Sequence, residues 1–367
     1  MRAVVCTDFD ESRVEEVERP TPAPDEVLLG VRRVQFSVTE CNLYRGNRIA
    51  HYDQVAPRLA DGPARLFGHE FCADVVEAGG DVDDLAVGDR VYASGKIPCG
   101  SCAYCAAGFV LECEDKTYLG YDRPGAAAEY FTSPTAPLTR LPDGVSDLEG
   151  AAMQPLASAV LCVHDADVTT GDTVAVIGAG VMGHQVAQLA LQQGAAEVHV
   201  VDVDPEKLDI AADNGLGSID ATGTDPVAEV RDRTGGVGAD VVVEAVGGEQ
   251  DAMCEGDDPL AQAVRMARTG ATLLQVGHVI GDVAVRPRTL RSKDLDWVFP
   301  RKGAAHLSPV GHTGAYAARL VADGRVSIAE YVTHELDGLE NFERAIDVTL
   351  NKPDYDALGP AQLVLDR

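Results

Sequence analysis

The chain of 367 residues reads as an α/β plus β protein, a β-rich barrel-like part followed by a doubly wound parallel sheet. Three observations predict it. Up to about residue 150, short apolar runs (VLLGVRRVQFSV, FCADVVEAG, VGDRVYA, AAAEYFTSP) are broken by Gly, Pro and Asp turns, the spacing of a β-barrel. After Gly150 short apolar strands alternate with helical periods. Between the first such strand and helix stands a glycine turn, Gly178-Ala179-Gly180-Val181-Met182-Gly183.

Element by element, Thr173–Ile177 is a strand, Val181–Gln193 a helix, and Val198–Val201 a strand ending in Asp202. Strands at Ala239–Val246 and Ala271–Val276 follow, with DPLAQAVRMARTG as the helix between them. The change of pattern predicts a first domain over residues 1–150, with a cysteine lobe at 95–115, and a nucleotide-type domain over 151–290. The segment 291–367 loosens in pattern and ends in AQLVLDR, which predicts a closing strand.

The lobe holds Cys99, Cys102, Cys105 and Cys113 in a C-x2-C-x2-C-x7-C run. Two-residue gaps let neighbouring sulfurs converge on one ion, which predicts a structural zinc. A disulfide cluster or an iron–sulfur cluster would use the same four thiols. Five further cysteines make an odd total of nine, and the start MRAVVCTDFD is not an export signal. Both features point to a reducing cytoplasm and away from disulfides.

The glycine turn is G-x-G-x-x-G in strand–turn–helix context. Gly178 permits the tight turn, Gly180 lets the backbone approach a pyrophosphate, and Gly183 allows close helix–strand packing. The phosphates then meet the helix amino terminus, beside Val181 and Met182. Asp202, at the end of the next strand, would accept both hydroxyls of an adenosine ribose and repel a 2′-phosphate, so NAD is expected over NADP. A helix-capping role before Pro205 is the competing reading of Asp202. Lys207 is a second candidate for the ribose, and Val276, Gly277 and His278 are candidates to line the nicotinamide pocket.

Charge excludes several partners. Against 59 acidic residues stand 30 basic ones, 24 of them arginine, for a net charge of −29. Such a shell repels nucleic acid and anionic membrane. Its composition resembles that of proteins from salt-loaded cytoplasms, where ions screen self-repulsion within a few ångströms. No apolar run approaches the roughly 18 residues of a membrane helix.

With the cysteine lobe and the fingerprint in this order, the chain resembles the medium-chain zinc-dependent alcohol and polyol dehydrogenases. The resemblance runs nearly full length, through Gly68-His69-Glu70, Val87-Gly88-Asp89-Arg90-Val91, Ala128-Glu129-Tyr130, Pro155-Leu156-Ala157 and Gly238-Ala239-Asp240-Val241-Val242. It implies a GroES-like barrel, a Rossmann domain, a tail returning to the barrel, an active site in the cleft between domains, and a homodimer or homotetramer. The implied reaction moves hydride between NAD and a secondary alcohol, with a polyol, sugar or hydroxy amino acid as substrate class. A zinc-free reductase of enones or quinones and a non-catalytic dinucleotide-binding relative are the alternatives.

A second, catalytic zinc is part of that resemblance, and here the pattern departs from it. The first usual ligand position, a Cys, is Ser37, the usual acid is Glu40, the usual His is Asn42, and the position before Pro155 is Gln154. His69 and Glu70 remain as possible ligands, with Cys41 or Glu40 the nearest substitutes, and a metal-free site stays open. Thr39 matches the hydroxyl that passes the substrate proton outward.

Overall fold

A computed structural model describes residues 1–308 and 311–365. The chain forms two compact units. One comprises Met1–Ala157, Gly303–Gly324 and the chain from Ile328 onward; the other comprises Ser158–Lys302 with Arg325–Ser327. No helix among the described residues is long and apolar enough to cross a membrane.

The first unit opens with a hairpin, β1 (Arg2–Asp8) and β2 (Glu11–Glu16). Its main sheet centres on β3 (Glu26–Gln35), flanked by β4 (Glu70–Ala78) and the carboxyl-terminal strand Gln362–Val364. β5 (Arg90–Ala93) pairs β4, and a two-residue ribbon, β6 (Lys96–Ile97) against β7 (Thr117–Tyr118), closes the base of the cysteine lobe. β8 (Tyr130–Pro134) pairs β3, and β9 (Leu138–Arg140) pairs β5. Strand formers such as Val27, Leu29, Val31, Phe71, Val75 and Phe131 fill the core, where burying each large side chain contributes about 1.5–3 kcal/mol.

The run VLLGVRRVQFSV is not strand to its end. β3 stops at Gln35, and Ser37 is the N-cap of a helix, α1 (Val38–Tyr44). Ser37 Oγ accepts from Glu40 N, and the Glu40 carboxylate answers to Ser37 N, so a capping box overrides the β-branched pattern. Thr39 therefore lies in a first helical turn and not at a strand end. The helix α2 (Tyr52–Ala60) follows.

A charged network ties β3, β5 and α4 (Asp147–Ala151) together. Asp147 accepts from Arg32 Nη1 at 3.0 Å and Arg90 Nη1 at 2.8 Å, while Arg32 Nε donates to Asp74 at 2.7 Å.

The second unit is a six-stranded, wholly parallel sheet. Its strands are β10 (Thr173–Ile177), β11 (Glu197–Asp202), β12 (Gly217–Asp220), β13 (Ala239–Glu244), β15 (Ala267–Gln275) and β17 (Asp296–Val298). They run in space as β12-β11-β10-β13-β15-β17, which is the doubly wound order with a switch point beside β10. Two short strands, β14 (Gly248–Glu249) and β16 (Val279–Ile280), pair beyond the ends of β13 and β15. The stretch DPLAQAVRMARTG is only half helix: the helix ends at Met266 and β15 begins at Ala267, whose partner is Ala239. β13 likewise stops at Glu244, two residues short of the predicted end.

The Asp147 network generates a stability prediction. Burial works against the Asp147 carboxylate, but Arg90 and Arg32 outweigh it and hold its pKa below the ordinary value. Its contribution is therefore complete above the unfolded pKa of about 3.9 and is lost as pH falls through the lower folded value. Asp147→Ala should lower stability at pH 7 by about 1–2 kcal/mol, since the carboxylate keeps partial exposure. In urea denaturation the gap between wild type and variant should shrink as the pH falls below about 4.

Candidate functional site

Two consecutive left-handed residues, Phe67 (φ 67°) and Gly68 (φ 84°), bring the chain into β4. A Cβ at Gly68 would lie 2.6 Å from Ala127 N, so only glycine fits there. A buried phenylalanine at positive φ is uncommon and needs external restraint. The loop after the lobe supplies it: Phe67 N donates to Gly120 O at 2.6 Å, and Ala126 N donates to Gly68 O at 2.8 Å. The result is a fixed His69 and Glu70 at the start of β4.

Glu40, fully buried on α1, meets that turn. Its Oε1 accepts from Gly68 N at 2.8 Å and lies 3.0 Å from His69 Nδ1. Burial alone would lower the His69 pKa, but the charge and hydrogen bond of Glu40, with Glu70 behind them, hold it up at about 9. On the other edge of the ring, His69 Nε2 is 3.8 Å from Glu70 Oε1. Gln35 Nε2 donates to Glu70 Oε2 at 2.7 Å. Burial lifts the Glu70 carboxyl to about 7 against the pull of His69 and Gln35.

Tyr121 completes the cluster. Its hydroxyl lies 3.5 Å from His69 Nδ1, and its ring stacks on His51 at 4.2 Å. Burial, then the charges of Glu40 and Glu70, hold the phenol well above its ordinary pKa. Neither Tyr121, His51 nor Gln35 belongs to a motif of the sequence. The only local signal is the glycine-rich GYDRPGA stretch, which marks a tight loop but no chemistry.

The residues at the usual catalytic-zinc positions do not compose a zinc site. Glu40 and Glu70 face opposite nitrogens of one imidazole, so the three donors do not converge on one ion. Ser37 Oγ is used by the α1 cap, and Gln154 Nε2 donates to Ser94 O at 3.5 Å. Cys41 Sγ faces Phe36 O inside the core, and burial raises its thiol pKa well above the ordinary value. Asn42 binds the backbone of its own helix through Val38 O. Catalytic zinc sites use three protein ligands of N, S or carboxylate type, and His69 with Glu70 supply two. Thr39 is half-buried on the outer turn of α1.

The cysteine lobe does fit a metal. Among the described residues, Cys99, Cys102, Cys105 and Cys113 form the one group of metal-binding side chains whose ligand atoms converge, all within 4.8 Å of one another. A tetrahedral zinc with Zn–S bonds of about 2.3 Å requires sulfurs about 3.8 Å apart. The Cys99–Cys105 and Cys102–Cys113 distances are 4.0 and 3.9 Å. Backbone N–H groups of Ser101 and Cys102 pull the Cys99 thiol down to about 6, toward the thiolate a metal needs. Cys102 also caps the short helix α3 (Ala103–Ala106) by accepting from Cys105 N.

In the second unit the fingerprint has a cradle for a dinucleotide. It opens the helix α6 (Val181–Gln193), which follows α5 (Met153–Asp165) and β10. Gly178 has φ 98°, and a Cβ on Gly183 would lie 1.9 Å from Gly178 O. At Gly180 an added Cβ would meet nothing within 4 Å, leaving open space against the α6 N-terminus. Val181 and Met182 form the first turn. Asp202 is tied to this turn: its carboxylate accepts from Ala179 N at 2.5 Å, Val203 N at 2.8 Å and Asp204 N at 3.0 Å. Capping of the next helix falls to Asp204, which also holds Lys207 Nζ at 3.1 Å. Val276 N and Gly277 N both donate to Glu244 O, at 2.8 and 2.9 Å, which fixes the end of β15. The segment from Trp297 to Lys302 follows β15 and carries the end of β17. Within the second unit it anchors Arg301 on Asp165 and lays Lys302 Nζ on Val276 O at 3.2 Å.

Comparison with known proteins agrees with these two units. The family models of the alcohol dehydrogenase GroES-like domain and of zinc-binding dehydrogenases match residues 23–143 and 181–299. An erythritol/L-threitol dehydrogenase of Mycolicibacterium smegmatis is 29% identical over 95% of this chain and 94% of its own length. An L-threonine 3-dehydrogenase of Coxiella burnetii is 30% identical over 90% of this chain and 91% of its own. A zinc-binding dehydrogenase from Sinorhizobium meliloti, solved bound to NADP, superposes with a TM-score of 0.83 at 27% identity, covering 100% and 99% of the two chains. With a glycine cradle, a four-thiol lobe and relatives that match nearly end to end, the chain belongs to the medium-chain, zinc-type alcohol and polyol dehydrogenase family.

Proposed function

We propose that the protein is an oxidoreductase that moves hydride between a secondary alcohol and NAD, with a polyol, sugar or hydroxy amino acid as substrate. The observation that carries this reading is the open cradle at Gly180, bounded by Gly178, Gly183 and the Asp202 carboxylate. When bound there, the nicotinamide cofactor supplies or takes up the hydride. Gly178, Gly180, Val181, Met182 and Gly183 receive the pyrophosphate on backbone N–H groups and the helix dipole. Asp202 keeps one acceptor site on Oδ2 for a ribose hydroxyl, and its charge opposes a 2′-phosphate. Val276 and Gly277 border the nicotinamide, held there by Glu244 O.

On the substrate side, Thr39, His69 and Glu70 supply the polar groups for the alcohol oxygen and its proton. The relatives named for erythritol, threitol and threonine support a secondary alcohol with a polar oxygen or nitrogen substituent on the neighbouring carbon. The lobe cysteines would hold one structural zinc, which closes the loop and takes no part in chemistry. The −29 charge supports a protein that works in a salt-loaded cytoplasm, and family membership supports a homodimer or homotetramer.

The test is a panel of polyols, sugar alcohols, hydroxy amino acids and the matching ketones, assayed at molar salt with NAD(H) and NADP(H). Turnover of a secondary alcohol or its ketone upholds the reading. Activity confined to enones or quinones favours the reductase alternative, which draws on the two-donor set at His69. Dinucleotide binding without any turnover leaves a non-catalytic relative.

Two variants probe the parts. Asp202→Ala should narrow the ratio of kcat/KM for NAD over NADP by roughly tenfold or more, as one charge–phosphate repulsion is removed. An unchanged ratio would take Asp202 out of cofactor choice. Cys102→Ser should lower bound zinc from one per chain to none and reduce thermal stability, with the dissociation constant for NADH unaltered. Metal content that stays at one would remove the lobe as the zinc site.

A further inference from the structure

His51 is held on every edge of its ring but one. It precedes α2 in the left-handed region, at φ 69° and ψ 3°, a conformation that residues with a β-carbon rarely adopt and that persists only where neighbours enforce it. Its ring stacks on Tyr121 at 4.2 Å and 9°, and Tyr118 meets it edge-on at 4.5 Å. Nδ1 lies 2.6 Å from Gln54 Oε1, an atom that only accepts, so Nδ1 carries the proton. Burial lowers the His51 pKa, which keeps the half-buried ring neutral. Nε2 is then a lone-pair acceptor. It has no partner among the described residues and is not sealed from solvent.

We propose that His51 Nε2 accepts a hydrogen bond from a second hydroxyl of the substrate, so that the site takes a polyol in preference to an alcohol lacking that hydroxyl. This rests on the dehydrogenase reading above and narrows its substrate class.

The acceptor is placed relative to His69, where that reading puts the alcohol oxygen. Both imidazoles touch one tyrosine. The centroids of His51 and His69 lie 4.2 and 5.6 Å from that of Tyr121, so the two rings are at most about 10 Å apart. A short polyol with a hydrogen bond of about 2.8 Å at each end covers that span. All three rings belong to the first unit, and Arg58 Nη1 fixes Tyr121 by donating to its carbonyl.

The chemistry of the acceptor selects its ligand. A hydroxyl donates to Nε2, whereas an alcohol without one leaves it unpaired once water is excluded. A site built to pair a hydroxyl discriminates against the analogue that lacks it. The stack on Tyr121 and the Gln54 bond orient the ring beforehand, so little side-chain freedom is lost on binding.

The experiment measures kcat/KM with NAD at molar salt for erythritol, xylitol and 1,2-butanediol, the last lacking hydroxyls beyond the second carbon. Wild type, His51→Phe and His51→Asn are compared. Wild type should prefer a polyol over 1,2-butanediol by about tenfold or more. His51→Phe keeps a ring on Tyr121 and removes Nε2, so the preference should fall about tenfold, carried by the KM of the polyol, with the NADH dissociation constant unchanged. His51→Asn suits a left-handed backbone but stops short of the Nε2 position, and it should give the same loss; it decides the matter where the phenylalanine variant fails to fold. A merely structural His51 would lower Tm and leave the preference in place. No preference in wild type, a preference that a folded variant retains, or turnover of other alcohols, L-threonine included, with neither polyol would each overturn the proposal. Failure of the dehydrogenase reading would show separately, as absence of turnover of any alcohol or ketone in wild type.

Discussion

The buried carboxylate of Glu40 is the constraint on which the rest of the candidate site depends. It closes the capping box of α1, accepts from Gly68 N, and fixes the face of the His69 ring through Nδ1. One side chain thus joins a helix start, a left-handed turn and a titratable ring. A carboxylate with no exposure needs such partners, since an unpaired buried charge costs several kcal/mol. Three backbone N–H groups, of Ser37, Gly68 and His69, and the His69 ring make its burial tolerable, and in exchange the ring has one orientation. The same charge keeps the imidazole protonated against its own burial.

Much of the fold was legible in the sequence because it rests on local rules. The glycine fingerprint lies between β10 and α6 as strand, turn and helix demand, and Asp202 ends the adjacent strand. Two-residue gaps bring Cys99, Cys102 and Cys105 together, and the turn at Val110–Glu112 delivers Cys113 to them. Boundaries failed where a side chain competed with periodicity. Ser37 and Glu40 convert the end of an apolar strand run into a helix, and β15 recruits Ala267-Arg268-Thr269 from an apparent helix by pairing with β13. In both cases hydrogen bonds outweighed the pattern of apolar residues.

The candidate site divides the same way. Motifs named His69, Glu70 and the fingerprint, whereas Tyr121, His51 and Gln35 reach His69 only through tertiary structure. Tyr121 lies 52 positions from its histidine, and the left-handed Phe67–Gly68 turn brings them together. No spacing rule links such residues, because the separation reflects where the lobe was inserted into the loop and not any periodic element. Gln35 is a different case: it ends β3 opposite Glu70 in the strand register, and only that register makes it a partner. A sequence reader could have named the pair by assuming the antiparallel alignment, but would have had to know it to the residue.

The contrast between the two cysteine- and histidine-bearing centres follows from what each must accomplish. The lobe is exposed and has little core of its own, and its four thiols converge within 4.8 Å, a donor set that fits a structural metal. The His69 centre lies inside a packed barrel whose order comes from Phe67, Phe71 and Phe342, and it keeps its shape without an ion. Ligand replacement there is compatible with stability, provided every donor and acceptor left behind finds a partner. Ser37 finds the helix cap, Glu40 finds the Gly68 amide, and Glu70 finds Gln35. Substituting a neutral hydroxyl for an anionic ligand removes the charge that draws a metal, while the capping box it creates fixes the acid that charges the histidine. The departure from the family pattern is therefore a coupled set of changes, in which Ser37 serves the α1 cap and Glu40 holds the His69 turn.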